Sequence, residues 1–93
     1  MKTIKDWAPE DRPRERLLTN GAETLSKAEL LAILIGSGVQ GKSAVEVMRT
    51  ILSDYEDNLM LLSKASVQEL MRYEGIGEAK AVTIVAACQL ANP

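Results

Sequence analysis

Apolar residues recur at the spacing of a helix face along most of this chain, and strand-like alternation is thin. Ala44, Val47, Met48, Ile51, Leu52 and Tyr55 share one such face. Leu30, Leu31, Leu34 and Ile35 make another, opened by Ser26 and Glu29. That pair is a capping box: the serine hydroxyl accepts from the amide three residues on, and the glutamate reaches back to the serine amide. Ser66 and Glu69 repeat it ahead of a helix predicted through Leu70 to Tyr73. Pro13 suits a first helical turn, so Arg14 to Asn20 reads as a short helix stopped by Gly21. Glu56-Asp57-Asn58 breaks the chain before a helical turn at Leu59 to Leu62, and a final helix runs from about Glu78 to Leu90. The expected architecture is all-α, a small bundle of about five to six helices. It occupies residues 13–93 as a single domain, behind a polar, Pro9-containing irregular arm at 1–12.

The last helix is apolar almost all round. Ala81, Val82, Ile84, Val85, Ala86, Ala87 and Cys88 leave only Lys80, Thr83 and Gln89 polar. Such a helix either lies at the centre of its domain, the simpler expectation, or buries a second face against something outside it. The chain ends at Asn92-Pro93 directly after it, which reads as a domain cut from a longer protein.

The two capping boxes begin parallel segments. Ser26-Lys-Ala-Glu29-Leu30 leads to Gly36-Ser37-Gly38 and Lys42; Ser66-Val-Gln-Glu69-Leu70 leads to Gly75-Ile76-Gly77 and Lys80. Each copy reads as helix, glycine turn, helix, over residues 26–55 and 66–91, and the match points to a duplicated supersecondary unit. Paired glycines let the backbone approach a ligand closely, and they precede a helix N-terminus whose free amides and dipole favour an anion. Lys42 and Lys80 fall in the first turns of those helices, where an ammonium reaches the same anion. The unit is therefore a candidate phosphate-binding corner that reads backbone rather than sequence. Its bland counterpart is a helical hairpin whose glycines only end one helix and let the next pack closely.

The second copy, Leu70-Met-Arg-Tyr-Glu-Gly75-Ile76-Gly77-Glu-Ala79-Lys80-Ala81-Val-Thr-Ile84, resembles the helix-hairpin-helix DNA-binding motif. The resemblance implies that Ile76 plugs the hairpin into the core and that the hairpin amides contact a DNA phosphate. It implies close helix packing at Ala79 and Ala81, with paired motifs gripping both strands across a minor groove. The first copy departs from this pattern: Ser37 stands where the plug belongs, and Val39-Gln40-Gly41 lengthens the turn. More widely, Arg12-Pro-Arg-Glu-Arg-Leu-Leu18, Leu25-Ser-Lys-Ala-Glu-Leu-Leu-Ala32, Gly38-Val-Gln-Gly-Lys-Ser43 and Gly75-Ile-Gly-Glu-Ala-Lys-Ala81 are similar to the N-terminal domain of RadC-like proteins, over nearly the whole chain. That resemblance implies a DNA-repair setting and, in the full-length proteins, a C-terminal JAMM-type metalloprotease-like domain with zinc held by histidines and an aspartate.

Composition narrows the chemistry. The 93 residues contain no histidine and one cysteine, which excludes a His/Cys zinc site and any catalytic triad built on histidine. No catalytic residue of the metalloprotease-like domain carries over, so the chain reads as non-enzymatic and without a cofactor. Cys88, in apolar helical surroundings, reads as a core residue. The aromatics are Trp7, Tyr55 and Tyr73, too few for a base-stacking platform, and Trp7 reads as an anchor of the arm onto the domain. Net charge is -2, so no overall basic field draws the chain to nucleic acid. Arg12, Arg14 and Arg16 are interleaved with Asp11 and Glu15 and read as a solvated face. No signal peptide opens the chain and its longest apolar run, Val82 to Ala91, is too short to span a bilayer, so the expected location is cytoplasmic.

Gly36-Ser-Gly-Val-Gln-Gly41-Lys42-Ser43 fits the nucleotide-binding P-loop pattern letter for letter. That loop requires a preceding strand in a parallel sheet, whereas Ser26 and Glu29 cap the preceding run as a helix. Nucleotide hydrolysis is set aside, and a phosphate-friendly turn is kept. The expected contact set is Ser37, Gly38, Gly41, Lys42 and Ser43 in the first turn, with Gly75, Ile76, Gly77 and Lys80 in the second. The leading expectation is a sequence-independent DNA-binding module, weak because Glu74 and Glu78 flank the second turn. The alternative is a scaffolding domain that docks onto a partner, or onto the absent metalloprotease-like domain, through the apolar last helix.

Overall fold

The computed structural model describes residues 11–39 and 41–91. Helices α1 (Asp11–Asn20), α2 (Lys27–Ile35), α3 (Ala44–Asp54), α4 (Leu59–Ser63), α5 (Val67–Leu70) and α6 (Glu78–Ala91) follow one another, with a single 3-10 turn at Ala22–Thr24. Among the described residues the only extended pairing is an isolated bridge between Val39 and Lys42. The fold is all-α. Residues 1–10 of the expected arm, Trp7 included, lie outside the described residues. The first helix begins at Asp11, ahead of the expected boundary at 13. Pro13 therefore sits inside the first turn, where a missing N–H breaks no helical bond.

Capping chemistry sets most of the helix starts. Ser26 with Glu29 and Ser66 with Glu69 form complete capping boxes at α2 and α5. A third box starts α3: Ser43 Oγ accepts from the Glu46 amide at 3.2 Å, and Glu46 Oε1 accepts from the Ser43 amide at 3.3 Å. Asn58 caps α4, its Oδ1 accepting from the amides of Met60 and Leu61. α5 is shorter than expected and stops at Leu70 rather than Tyr73. The next amides bond three residues back, Arg72 to Glu69 and Tyr73 to Leu70, so the chain tightens into a turn before Gly75.

α2 packs on α3 and α6, while α4 and α5 pack on α6. Met48, Ile51, Leu62, Leu70, Ile84 and Cys88 are the largest fully buried side chains, so both helix pairs share one core. Burial pushes the Cys88 thiol up from its ordinary pKa, as befits a core residue. α2 turns Ala28, Leu31, Ala32 and Ile35 inward and leaves Leu30 and Leu34 at the surface.

α6 packs against α2, α4 and α5, as a central helix would, but it is not covered all round. Ala81, Ile84 and Cys88 are buried along one face, but Val82 is 49% exposed, Leu90 is 88% exposed and Ala86 is exposed beside them. With α2, α4 and α5 all on one side of it, the far side meets solvent. The helix thus combines a fully buried face with an exposed apolar one. No helix among the described residues is long and apolar enough to cross a membrane.

Candidate nucleic-acid interface

The two glycine turns, distant in sequence, lie against each other. Lys80 Nζ donates to the Ser37 carbonyl oxygen at 2.8 Å and to Ser37 Oγ at 3.1 Å. Gly75 has φ of +87°, and a Cβ built on it would stand 2.0 Å from Val39 Cγ1. Only a residue without a side chain admits Val39 there. The residue that lengthens the first turn thus seats that turn on the second. Lys42, Val47, Thr50, Tyr73 and Glu74 line a hollow of about 40 Å³, which places the first turn's lysine beside the approach to the second.

The first turn closes largely on itself. The amides of Val39 and Lys42 each donate to the other residue's carbonyl at 3.0 Å. Gly38 is pressed against the backbone, since a Cβ there would stand 2.2 Å from the Lys42 carbonyl oxygen. Ser43 is buried, and both its hydroxyl and its amide are engaged with Glu46 in the cap of α3. Of the main-chain nitrogens that the repeat offers to an anion here, those of Val39, Lys42 and Ser43 already have acceptors. Gly41 is exposed at the tip, and Ser37 is exposed beside Lys80. Lys42 is exposed and has no ion-pair partner among the described residues.

The second turn is more open. Ile76 is 4% exposed within the core, in the place where an aliphatic plug is expected, and its amide donates to the Tyr73 carbonyl at 3.0 Å. Gly77 is exposed and has space where a Cβ would stand. Its carbonyl accepts from the Ala81 amide at 3.0 Å, the first bond of α6. The amides of Gly77, Glu78, Ala79 and Lys80 have no acceptor among the described residues. α2, α3, α4 and α5 each have a serine or asparagine cap, whereas α6 begins on Gly77, which has no side chain to offer. Of the two alanines expected to allow close packing, Ala81 is fully buried but Ala79 faces solvent.

Charge around this corner is mixed. Lys80 and Lys42 bring two ammonium groups, while the exposed Glu74 and Glu78 bring two carboxylates. Arg14 is exposed, and Arg16 is exposed and paired with Glu29. Among the described residues there is no cluster of histidine, cysteine, aspartate or glutamate fit to hold a metal ion.

The family model described as UPF0758 N-terminal matches residues 4–82. The chain belongs to the UPF0758 family, as the RadC-like N-terminal domain. A UPF0758 protein of Flavobacterium johnsoniae is 55% identical over 87 residues, covering 94% of this chain and 38% of the relative. UPF0758 proteins of Rubrobacter xylanophilus and Bacillus licheniformis are 52% and 49% identical, covering 97% and 94% of the chain and 39% and 38% of their own lengths. The chain thus spans about two-fifths of the length of these relatives. No solved structure matches it.

The sequence reading missed the third capping box of this UPF0758 domain. Its signal was plain, a serine three residues before a glutamate, but Ser43 was read instead as the end of a P-loop-like string. The helical α2 ahead of that string supplies none of the strand a P-loop requires.

Proposed function

We propose that this domain is a non-enzymatic DNA-binding module that contacts the sugar-phosphate backbone without sequence preference. One observation carries the reading: α6 begins on Gly77, which has no side chain, and its first amides have no acceptor among the described residues. Such amides bind best to an acceptor that brings negative charge, and a phosphate oxygen is one. Gly77 leaves the approach clear, Lys80 is held at the rim by Ser37, and Lys42 adds a second positive charge from the neighbouring turn. Ile76, Gly75 and Gly38 act by shaping the two turns rather than by touching the ligand. Ser43 acts by starting α3. Glu74 and Glu78 oppose the two lysines, so affinity is modest and falls steeply with salt. Backbone contacts of this kind position a duplex without reading its bases.

The test is an amide-shift titration with a short duplex at low salt, repeated as salt is raised. The amides of Gly77, Glu78 and Ala79 are expected to move first. Lys42→Ala is expected to weaken binding and to lower the slope of log affinity against log salt by about 1. Unmoved amides at the lowest salt, or shifts confined to the far end of α6, would overturn the reading.

A further inference from the structure

At the far end of α6 from the glycine turns, α2, α4 and α6 enclose an apolar groove of about 160 Å³. Leu30 and Leu34 line it from α2, Ala87 and Ala91 from α6, and Leu59 from α4. Lys27 is the one charged residue of the lining, and its ammonium is turned to Asp57, donating to the carbonyl at 2.9 Å and to Oδ2 at 3.4 Å. Leu34 is 55% exposed and Leu90 88% exposed, and the apolar surface continues from the groove along α6 through Ala86 to Val82. Thr83 adds little polarity, because its hydroxyl is tied to the Ala79 carbonyl at 3.0 Å. With Lys27 engaged by Asp57 and Gln89 the exposed polar residue beside Ala86 and Leu90, the surface suits an apolar protein segment better than a phosphate.

The family identifies the occupant. The matching model is that of an N-terminal domain, and the chain covers only 38% of relatives such as the Flavobacterium johnsoniae protein. In those relatives the rest of the protein follows the counterpart of α6, and the last turn of α6 is itself a wall of the groove. A segment leaving that turn is tethered at the groove mouth, so docking is intramolecular and needs little affinity of its own. The walls are helical rows spaced i, i+4 on both sides, Leu30 with Leu34 and Ala87 with Ala91, which is how an amphipathic helix is received.

We propose that the groove and the outer face of α6 form the seat of the C-terminal part of the full-length UPF0758 protein, entered first by an amphipathic helix following α6. The seat holds that part against the N-terminal domain. The groove lies at the far end of α6 from the glycine turns and its test contains no DNA, so this proposal stands or falls separately from DNA binding.

The test joins to Pro93 the residues that follow the matched segment in the Flavobacterium johnsoniae relative. Hydroxyl-radical labelling of Leu30, Leu34, Val82 and Leu90 is then compared between this chimera and the 93-residue chain. Labelling of all four is expected to fall several-fold in the chimera, while that of Leu18, exposed on α1, stays constant. In the chimera carrying Leu34→Glu and Leu90→Glu together, labelling of Leu30 and Val82 is expected to return to the level of the isolated domain. Both leucines are solvent-exposed in the domain, so circular dichroism of the isolated double variant should match the parent. Equal labelling of chimera and domain would overturn the proposal. So would labelling of the isolated domain that falls with concentration as a dimer appears by light scattering, because the occupant would then be a second copy.

Discussion

Lys80 of α6 donates from its ammonium to both the carbonyl and the hydroxyl oxygen of Ser37, 43 residues earlier in the chain. This contact ties one glycine turn to the other and fixes where the Lys80 charge sits. A flexible lysine on a helix surface would pay side-chain entropy to approach a phosphate, and here most of that ordering is complete in the free domain. Lys80→Met removes both bonds, and unfolding in urea should show a loss of about 1 kcal/mol, because the site is partly exposed. Ser37→Ala keeps the carbonyl acceptor at 2.8 Å and should cost less. Equal losses from the two substitutions would mean that the hydroxyl, not the carbonyl, carries the contact.

The two glycines of the second turn should respond in opposite ways. Gly75→Ala places a methyl on Val39 Cγ1 at a positive φ, and overpacking of that kind costs about 1–3 kcal/mol. Trimming the neighbour, in the pair Gly75→Ala with Val39→Ala, should recover part of the loss and leave the backbone strain. Gly77→Ala meets nothing within 4 Å and has an ordinary φ, so its urea midpoint should fall less than that of Gly75→Ala, by no more than the modest cost of alanine at a helix start. Its added methyl stands at the open start of α6, so duplex binding should weaken while the domain stays folded. Loss of binding with Gly75→Ala alone would not identify a contact, since that change also separates the turns.

The features legible in the sequence are those set by neighbours along the chain. Ser26 with Glu29 and Ser66 with Glu69 are local hydrogen-bonding pairs, and both start helices where expected. The stripe from Ala44 to Tyr55 likewise predicts the buried face of α3. Contacts across the fold have no such signature. Nothing near Ser37 shows that Lys80 will reach it, and nothing near Gly75 shows that Val39 will fill the space. α6 is an intermediate case: its all-round apolar composition does not say which face is buried, and only the packing of α2, α4 and α5 shows which face is left exposed. The early end of α5 has no signature in the sequence, because Leu70 to Tyr73 is helix-compatible in composition and the three-back bonds that tighten it follow from the turn into Gly75.

Tyr73 and Tyr55 tie α3 and its end to the second unit. The Tyr73 hydroxyl donates to Asp54 Oδ2 at 2.5 Å, and the Tyr55 hydroxyl to Glu69 Oε2 at 3.3 Å. Burial, then the neighbouring carboxylates, hold both phenols above their ordinary pKa of 10.0. The folded state therefore favours the protonated phenols, and their contribution is complete below pH 10.0 and lost as the pH rises past it. Tyr73→Phe should cost about 0.5–1 kcal/mol at neutral pH, as measured in urea. The variant should also lose less stability than the parent on moving to strongly alkaline solution. A parent and variant that weaken in parallel there would assign the alkaline loss to other groups.

Acid should act through the capping glutamates. Partial burial works to raise the pKa of Glu29, but the Ser26 amide and hydroxyl and the Arg16 guanidinium outweigh it, leaving the carboxyl below its ordinary value of 4.5. At Glu69 the Ser66 amide is the leading influence, helped by the Tyr55 hydroxyl, and the shift is again downward from 4.5. A depressed carboxylate stabilises the fold fully above its unfolded-state pKa, and that contribution disappears as pH falls through the folded value. Stability should therefore hold at neutral pH and decline once the pH drops below 4.5. Glu29→Gln keeps the shape of the side chain but removes the charge that pairs with Arg16 and the Ser26 amide, so it should cost about 1 kcal/mol at neutral pH. Below pH 4.5 the parent's own Glu29 becomes protonated, and urea midpoints of parent and variant should converge. A gap that stays constant down the pH scale would place the cost of the substitution in packing rather than in the charged cap.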